Sequence, residues 1–63
     1  ERVIRIERDF QGHLQLGSMR NGVWHYGGLP QDVQTKAQIE AFIDARSQGK
    51  LYRLTFQDGL NLT

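Results

Sequence analysis

The sequence contains no cysteine, which excludes a disulfide framework and any zinc site built on thiolates. That leaves the redox compartment open. Small secreted domains more often carry disulfides, however, so the expectation is a cytoplasmic protein. No apolar run approaches the length needed to cross a membrane, and no signal-peptide pattern opens the chain. Neither charge is in real excess: eight Lys and Arg against seven Asp and Glu give a net +1. That balance argues against binding driven mainly by a large positive field. There are only two histidines and one proline, and no catalytic, metal-binding or phosphate-loop motif. Sixty-three residues make one small domain (1–63), marginal in the surface it can bury. The first residue is Glu1 rather than Met, so we expect a domain excised from a longer protein or a processed end.

The most informative stretch runs from His13 to Tyr26. Asn21-Gly22 separates two runs of strand formers, the strongest short-range hairpin signal, because a type I′ turn needs positive φ at both central residues. This turn sets Arg20 opposite Val23, Met19 opposite Trp24, Ser18 opposite His25 and Gly17 opposite Tyr26. Alternation then sorts the side chains onto two faces. Leu14, Leu16, Ser18, Val23 and His25 share one, with Leu29 following. His13, Gln15, Gly17, Met19, Trp24 and Tyr26 share the other.

Residues Glu1 to Arg8 alternate and are β-branched at Val3, Ile4 and Ile6, as in a half-buried strand. Asp9 to Gly12 read as a turn. A three-residue loop with a bulge at Gly12 sets Ile6 opposite Leu16 and Arg5 opposite Gly17, which puts Arg5 and Glu7 on the aromatic face. A two-residue Gln11-Gly12 loop would instead turn Glu7 towards the Leu16 face. We prefer the first because it keeps Ile4 and Ile6 with the core. Gly27 to Pro30 end the third strand, and Gln31 to Gln34 form a polar lead-in. Thr35 and Gln38 match a capping box for a helix over 36–47, with Gly49 at its stop. Its apolar stripe is Ile39, Phe42 and Ile43, with Lys36, Glu40 and Asp44 on the opposite side. Leu51 to Phe56 form a last strand, and the tail from Leu60 to Thr63 is expected to be loosely held.

The fold expected is α+β in the order β-β-β-α-β. It comprises a three-stranded antiparallel meander, one helix packed on one face, and a fourth short strand after the helix. A right-handed crossover would lay that strand beside and parallel to the first, giving sheet order 3-2-1-4. The core would comprise Ile4, Ile6, Leu14, Leu16, Val23, Leu29, Ile39, Phe42, Ile43, Tyr52, Leu54 and Phe56.

His13 and His25 fall on opposite faces, so they cannot share a metal, and zinc needs three or four protein ligands. The expectation is a solvated His13 and a partly buried, hydrogen-bonded His25. Ser18 and His25 are cross-strand neighbours, but no nucleophile elbow surrounds the serine. No catalysis, cofactor or membrane partner is therefore expected. The feature that stands out is the aromatic and polar face of Arg5, His13, Gln15, Met19, Trp24, Tyr26, Arg53 and Thr55. Exposed together, such residues mark a binding surface.

In element order, residues 3 to 46 resemble the plant AP2-type and integrase amino-terminal arm-binding DNA-binding domains, although no motif of either family stands in the sequence. The resemblance implies arginines and aromatics of the sheet face in a DNA groove, parts that Arg5, Arg20, Trp24 and Arg53 could take. The first expectation is thus a non-catalytic module that contacts nucleic acid. The second is a protein-interaction or oligomerisation module using the same face or an edge strand, since Trp, Tyr, Met and Arg are the types enriched in interfaces. Salt separates them, because phosphate contacts weaken steeply as salt rises.

Overall fold

Asn21 and Gly22 both take positive φ, 52° and 77°, and close the second hairpin as the turn type requires. In the computed structural model, which describes residues 2–62, the chain forms β1 (Arg2–Arg8), β2 (Leu14–Arg20), β3 (Val23–Gly28), α1 (Lys36–Ser47) and β4 (Tyr52–Phe56). Glu1 and Thr63, the outer ends of the expected first strand and tail, lie outside the described residues. The four strands make one sheet in the order β3-β2-β1-β4. β1 pairs antiparallel with β2, and β2 with β3, whereas β4 lies parallel to β1. The sheet is therefore mixed, because the helical crossover returns the chain in the direction of β1.

The β1–β2 loop takes the bulged, three-residue form, with Ile6 opposite Leu16 and Arg5 opposite Gly17. Asp9 organises it. Its Oδ1 accepts from the backbone N–H groups of Gln11 and His13, each at 2.9 Å, and Oδ2 accepts from Gln15 Nε2 at 3.1 Å. The donated bond from His13 is the largest reason the Asp9 carboxyl titrates below its ordinary value.

Thr35 caps α1, accepting from Gln38 N at 3.1 Å while Gln38 Oε1 accepts from Thr35 N at 3.0 Å. The helix ends in two left-handed residues, Gln48 (φ 56°) and Gly49 (φ 79°). Ile39 and Ile43 are buried against Ile4, Ile6 and Leu14, and fully burying such a side chain stabilises by roughly 1.5–3 kcal/mol. Phe42, Leu16, Leu29, Tyr52, Leu54 and Phe56 are half-buried around them.

Four expectations need correction. Val23 is 57% exposed and outside the core, because α1 does not reach across to β3. Lys36 and Asp44 do not point away from the sheet. Lys36 Nζ lies 5.7 Å from the centre of the Phe56 ring, and Asp44 Oδ1 accepts from the Tyr52 hydroxyl at 2.6 Å. The lead-in to α1 is not wholly polar, since Val33 is buried in the core. The tail is also held: Leu60 and Leu62 pack on the core, and Arg8 Nη2 donates to Asn61 O at 2.7 Å. Among the described residues no helix is long and apolar enough to cross a membrane.

Candidate interaction surface

With α1 on one side of the sheet, the other side is left without a covering element. The register runs a continuous row across it: Thr55 on β4, Arg5 on β1, Gly17 on β2 and Tyr26 on β3. Met19 and Trp24 form the neighbouring pair on β2 and β3, and Gln15 pairs with Glu7 on the other flank. Arg53 stands on β4 opposite Val3. Seven of the nine residues expected at the site therefore do share this open face: Arg5, Gln15, Met19, Trp24, Tyr26, Arg53 and Thr55.

Of the other two, His13 stands just beyond these rows, and Arg20 lies on the opposite side of the sheet. His13 precedes β2 and is exposed at the base of the first loop, with Nδ1 3.9 Å from Asp9 Oδ2. Arg20 pairs with Val23 and so falls, by alternation, on the helix side of the sheet. There it lines a groove with Arg2, Arg46 and His25. His25 is exposed rather than partly buried. Its cross-strand neighbour Ser18 is buried and accepts instead from Arg2 Nη2 at 3.3 Å.

The centre of the open face is aromatic. The rings of Trp24 and Tyr26 stack with centroids 6.3 Å apart and planes 30° apart. Tyr26 is 55% and Met19 37% exposed. Trp24 is half-buried rather than fully exposed, since it shares the strand face with its stacked neighbour. Tyr26 also lies against the backbone at Gly17. A Cβ added there would stand 2.7 Å from Tyr26 Cε1, so the ring covers the space that only glycine leaves open on the strand.

Glu7 sets the electrostatics of this face. Arg5 Nε approaches Glu7 Oε2 at 3.4 Å, while that buried oxygen accepts no hydrogen bond of good geometry. The Tyr26 hydroxyl is within hydrogen-bonding reach of the same carboxylate. That contact is the main cause of a phenol pKa raised above its ordinary value, with desolvation and the charge of Glu7 adding to it. Alternation placed Glu7 on this face, but its grip on both Arg5 and Tyr26 spans three strands and has no signature in local sequence.

Among the described residues no group of three His, Cys, Asp or Glu stands close enough to hold a metal ion. Comparison with protein-family models, curated proteins and solved structures gives no match, so the functional reading rests on this geometry.

Proposed function

We propose that this domain is a non-catalytic protein-interaction module whose partner is met on the open face of the sheet. The observation that carries this reading is the stacked Trp24–Tyr26 pair, flanked by exposed Met19, on a face that no element covers. Aromatic and methionine side chains give large contact areas at small entropic cost, and a few of them supply most of the energy of an interface. Arg5 and Arg53 frame the patch and give it orientation. The reading places the module in the cytoplasm, where a small domain without disulfides is the ordinary case.

Nucleic acid is the second reading, favoured by Arg5 and Arg53 on the same face as rings on which bases could stack. Glu7 weighs against it. Its carboxylate offsets the charge of Arg5 and would repel a phosphate brought to the same row.

Two measurements decide between them. Selection of a displayed random-peptide library on the wild-type chain should enrich sequences that Trp24→Ala no longer holds while remaining folded. Enrichment unaffected by Trp24→Ala would remove the protein reading of this face. Titration of short duplex DNA at low and moderate salt tests the alternative. Steeply salt-dependent binding, strengthened by Glu7→Gln, would favour nucleic acid.

A further inference from the structure

β3 ends the sheet order, and its free edge is unusually inviting. In a hairpin closed by a two-residue turn the flanking residues exchange hydrogen bonds, and bonded pairs then alternate. Val23, His25 and Gly27 thus turn their backbone groups towards β2, and Trp24, Tyr26 and Gly28 turn theirs outwards. Natural edges are usually blunted by proline, lysine or a bulge. The segment Val23–Gly28 reads VWHYGG and holds its register without interruption from Gln15↔Gly28 to Arg20↔Val23, so none of these devices is present.

Beside this edge, on the helix side, lies a groove of about 310 Å³. Gly27 opens it, since a Cβ built there would meet nothing within 4 Å. Leu16, Leu29, Phe42 and Ile43 give it an apolar lining, and Arg2, Arg20 and Arg46 stand around it. Two of these guanidinium groups are already positioned. Arg46 lies with Cζ 3.6 Å from the centre of the Phe42 ring and donates to Phe42 O at 3.1 Å. Arg2 donates to the hydroxyl of Ser18. No acidic side chain lines the groove among the described residues.

We propose that β3 receives an extended acidic peptide of a partner protein as a fifth strand. This rests on the reading of the domain as a protein-interaction module and specifies its ligand. Alternate residues of an added strand point to opposite sides of the sheet. On the groove side an apolar residue would meet Leu29 and Phe42, and a carboxylate two positions away would meet the arginines. The residue between them would fall on the open face, beside Trp24 and Tyr26. Charge complementarity selects this occupant. A second copy of the chain would bring Arg20 and His25 towards their own likeness. A phosphodiester backbone would satisfy the arginines but leave the apolar lining uncovered.

The test uses two synthetic peptides, one repeating Val-Thr-Glu-Thr and the other carrying lysine in place of every glutamate. Each is titrated into the chain, with affinity and backbone amide exchange as readouts. The acidic peptide should bind at least about tenfold more tightly than the lysine form and should slow exchange at Trp24, Tyr26 and Gly28. Gly27→Leu, which fills the groove, and Arg46→Glu, at an exposed position, should each weaken it by a similar factor. Equal binding of the two peptides, or unchanged exchange at those amides, would overturn the proposal. So would binding that is lost in Trp24→Ala but survives both groove variants, a pattern that leaves the open-face module standing. The converse pattern upholds the groove and removes the open face. Should Gly27→Leu unfold, Arg46→Glu still decides. A strand-exchanged homodimer, seen as a doubled mass with the same amides protected and no peptide present, would replace the acidic ligand with a second copy and overturn the assignment.

Discussion

Replacing Gly17 by alanine asks whether Tyr26 is placed by the glycine beneath it. The added Cβ would lie 2.7 Å from Tyr26 Cε1 and 3.0 Å from Cδ1, closer than carbon atoms tolerate. β2 is pinned between β1 and β3, so the strand cannot move away. The ring can, because Tyr26 is 55% exposed and its outer side faces no other element. Swinging out forfeits the stack on Trp24, about 0.5–1.5 kcal/mol. Removing a glycine from a strand interior returns about 0.5–1 kcal/mol. These terms nearly cancel, so the chain should stay folded, with a melting temperature within about 8 °C of the parent. The titration should change more than the stability. Contact with Glu7 raises the Tyr26 phenol above its ordinary value of 10.0, and a displaced ring should fall back towards that value. Tyr52, raised chiefly by its hydrogen bond to Asp44, is the internal control and should not move. Absorbance or NMR titration of the two tyrosines reads both at once. An unchanged Tyr26 titration in a folded Gly17→Ala chain would refute the placement, and global unfolding would refute the argument that the ring yields cheaply.

Four further outcomes are expected. Ile39→Ala removes a wholly buried side chain and should cost about 2–5 kcal/mol, much of the roughly 3–9 kcal/mol that a chain this size holds. Phe42→Ala should cost less than the about 3–5 kcal/mol of a fully buried phenylalanine, since Phe42 is only half-buried; urea denaturation showing a full loss of that size at Phe42, or almost none at Ile39, would contradict the packing. Asn21→Ala should destabilise by about 1–2 kcal/mol, because alanine resists the φ of 52° that Asn21 adopts, whereas Asn21→Gly should be near neutral. Finally, the Asp9 carboxyl is lowered from 3.8, so its contribution is full above that value and is lost as pH falls through the lower, folded value. Amide protection at Gln11 and His13 should therefore survive down to the ordinary carboxylate pKa and collapse below it; earlier collapse would deny Asp9 its role in the loop.

Much of this arrangement is legible from local chemistry. Asn21-Gly22 admits one tight turn, and that turn sets the full register between Gln15 and Gly28. Thr35 and Gln38 announce the helix start because each satisfies a backbone donor of the other's residue. The position of β4 follows from crossover handedness. What escaped was lateral. Alternation says which side of the sheet Val23 is on, but not how far α1 extends over that side. Val33, Leu60 and Leu62 sit in irregular segments, where no period marks an apolar residue as buried. Lys36 and Asp44 look solvent-facing on a helix considered alone, and only the neighbouring β4 gives them Phe56 and Tyr52 to lie against. Arg20 is a different case: its residue type suits the open face, but the register set by Asn21-Gly22 already pairs it with Val23 on the helix side.

The offset of α1 leaves β3 the least covered strand of the sheet. β1 supplies Ile4 and Ile6 to the core, and the helix lies over them. β3 buries none of its six residues, so the stability of the fold scarcely depends on its side chains. It is held by hydrogen bonds to β2 and by the turn at Asn21-Gly22. A strand in that position is open on both faces and along its edge, and a two-stranded margin of this kind is the weakest part of a small sheet. A partner strand would supply what β3 lacks, a second set of backbone bonds and cover for the groove at Gly27 and the rings of Trp24 and Tyr26. Ordering of β3 and binding would then be coupled, so the amides of Val23, His25 and Gly27, which already bond to β2, should also exchange more slowly in the complex.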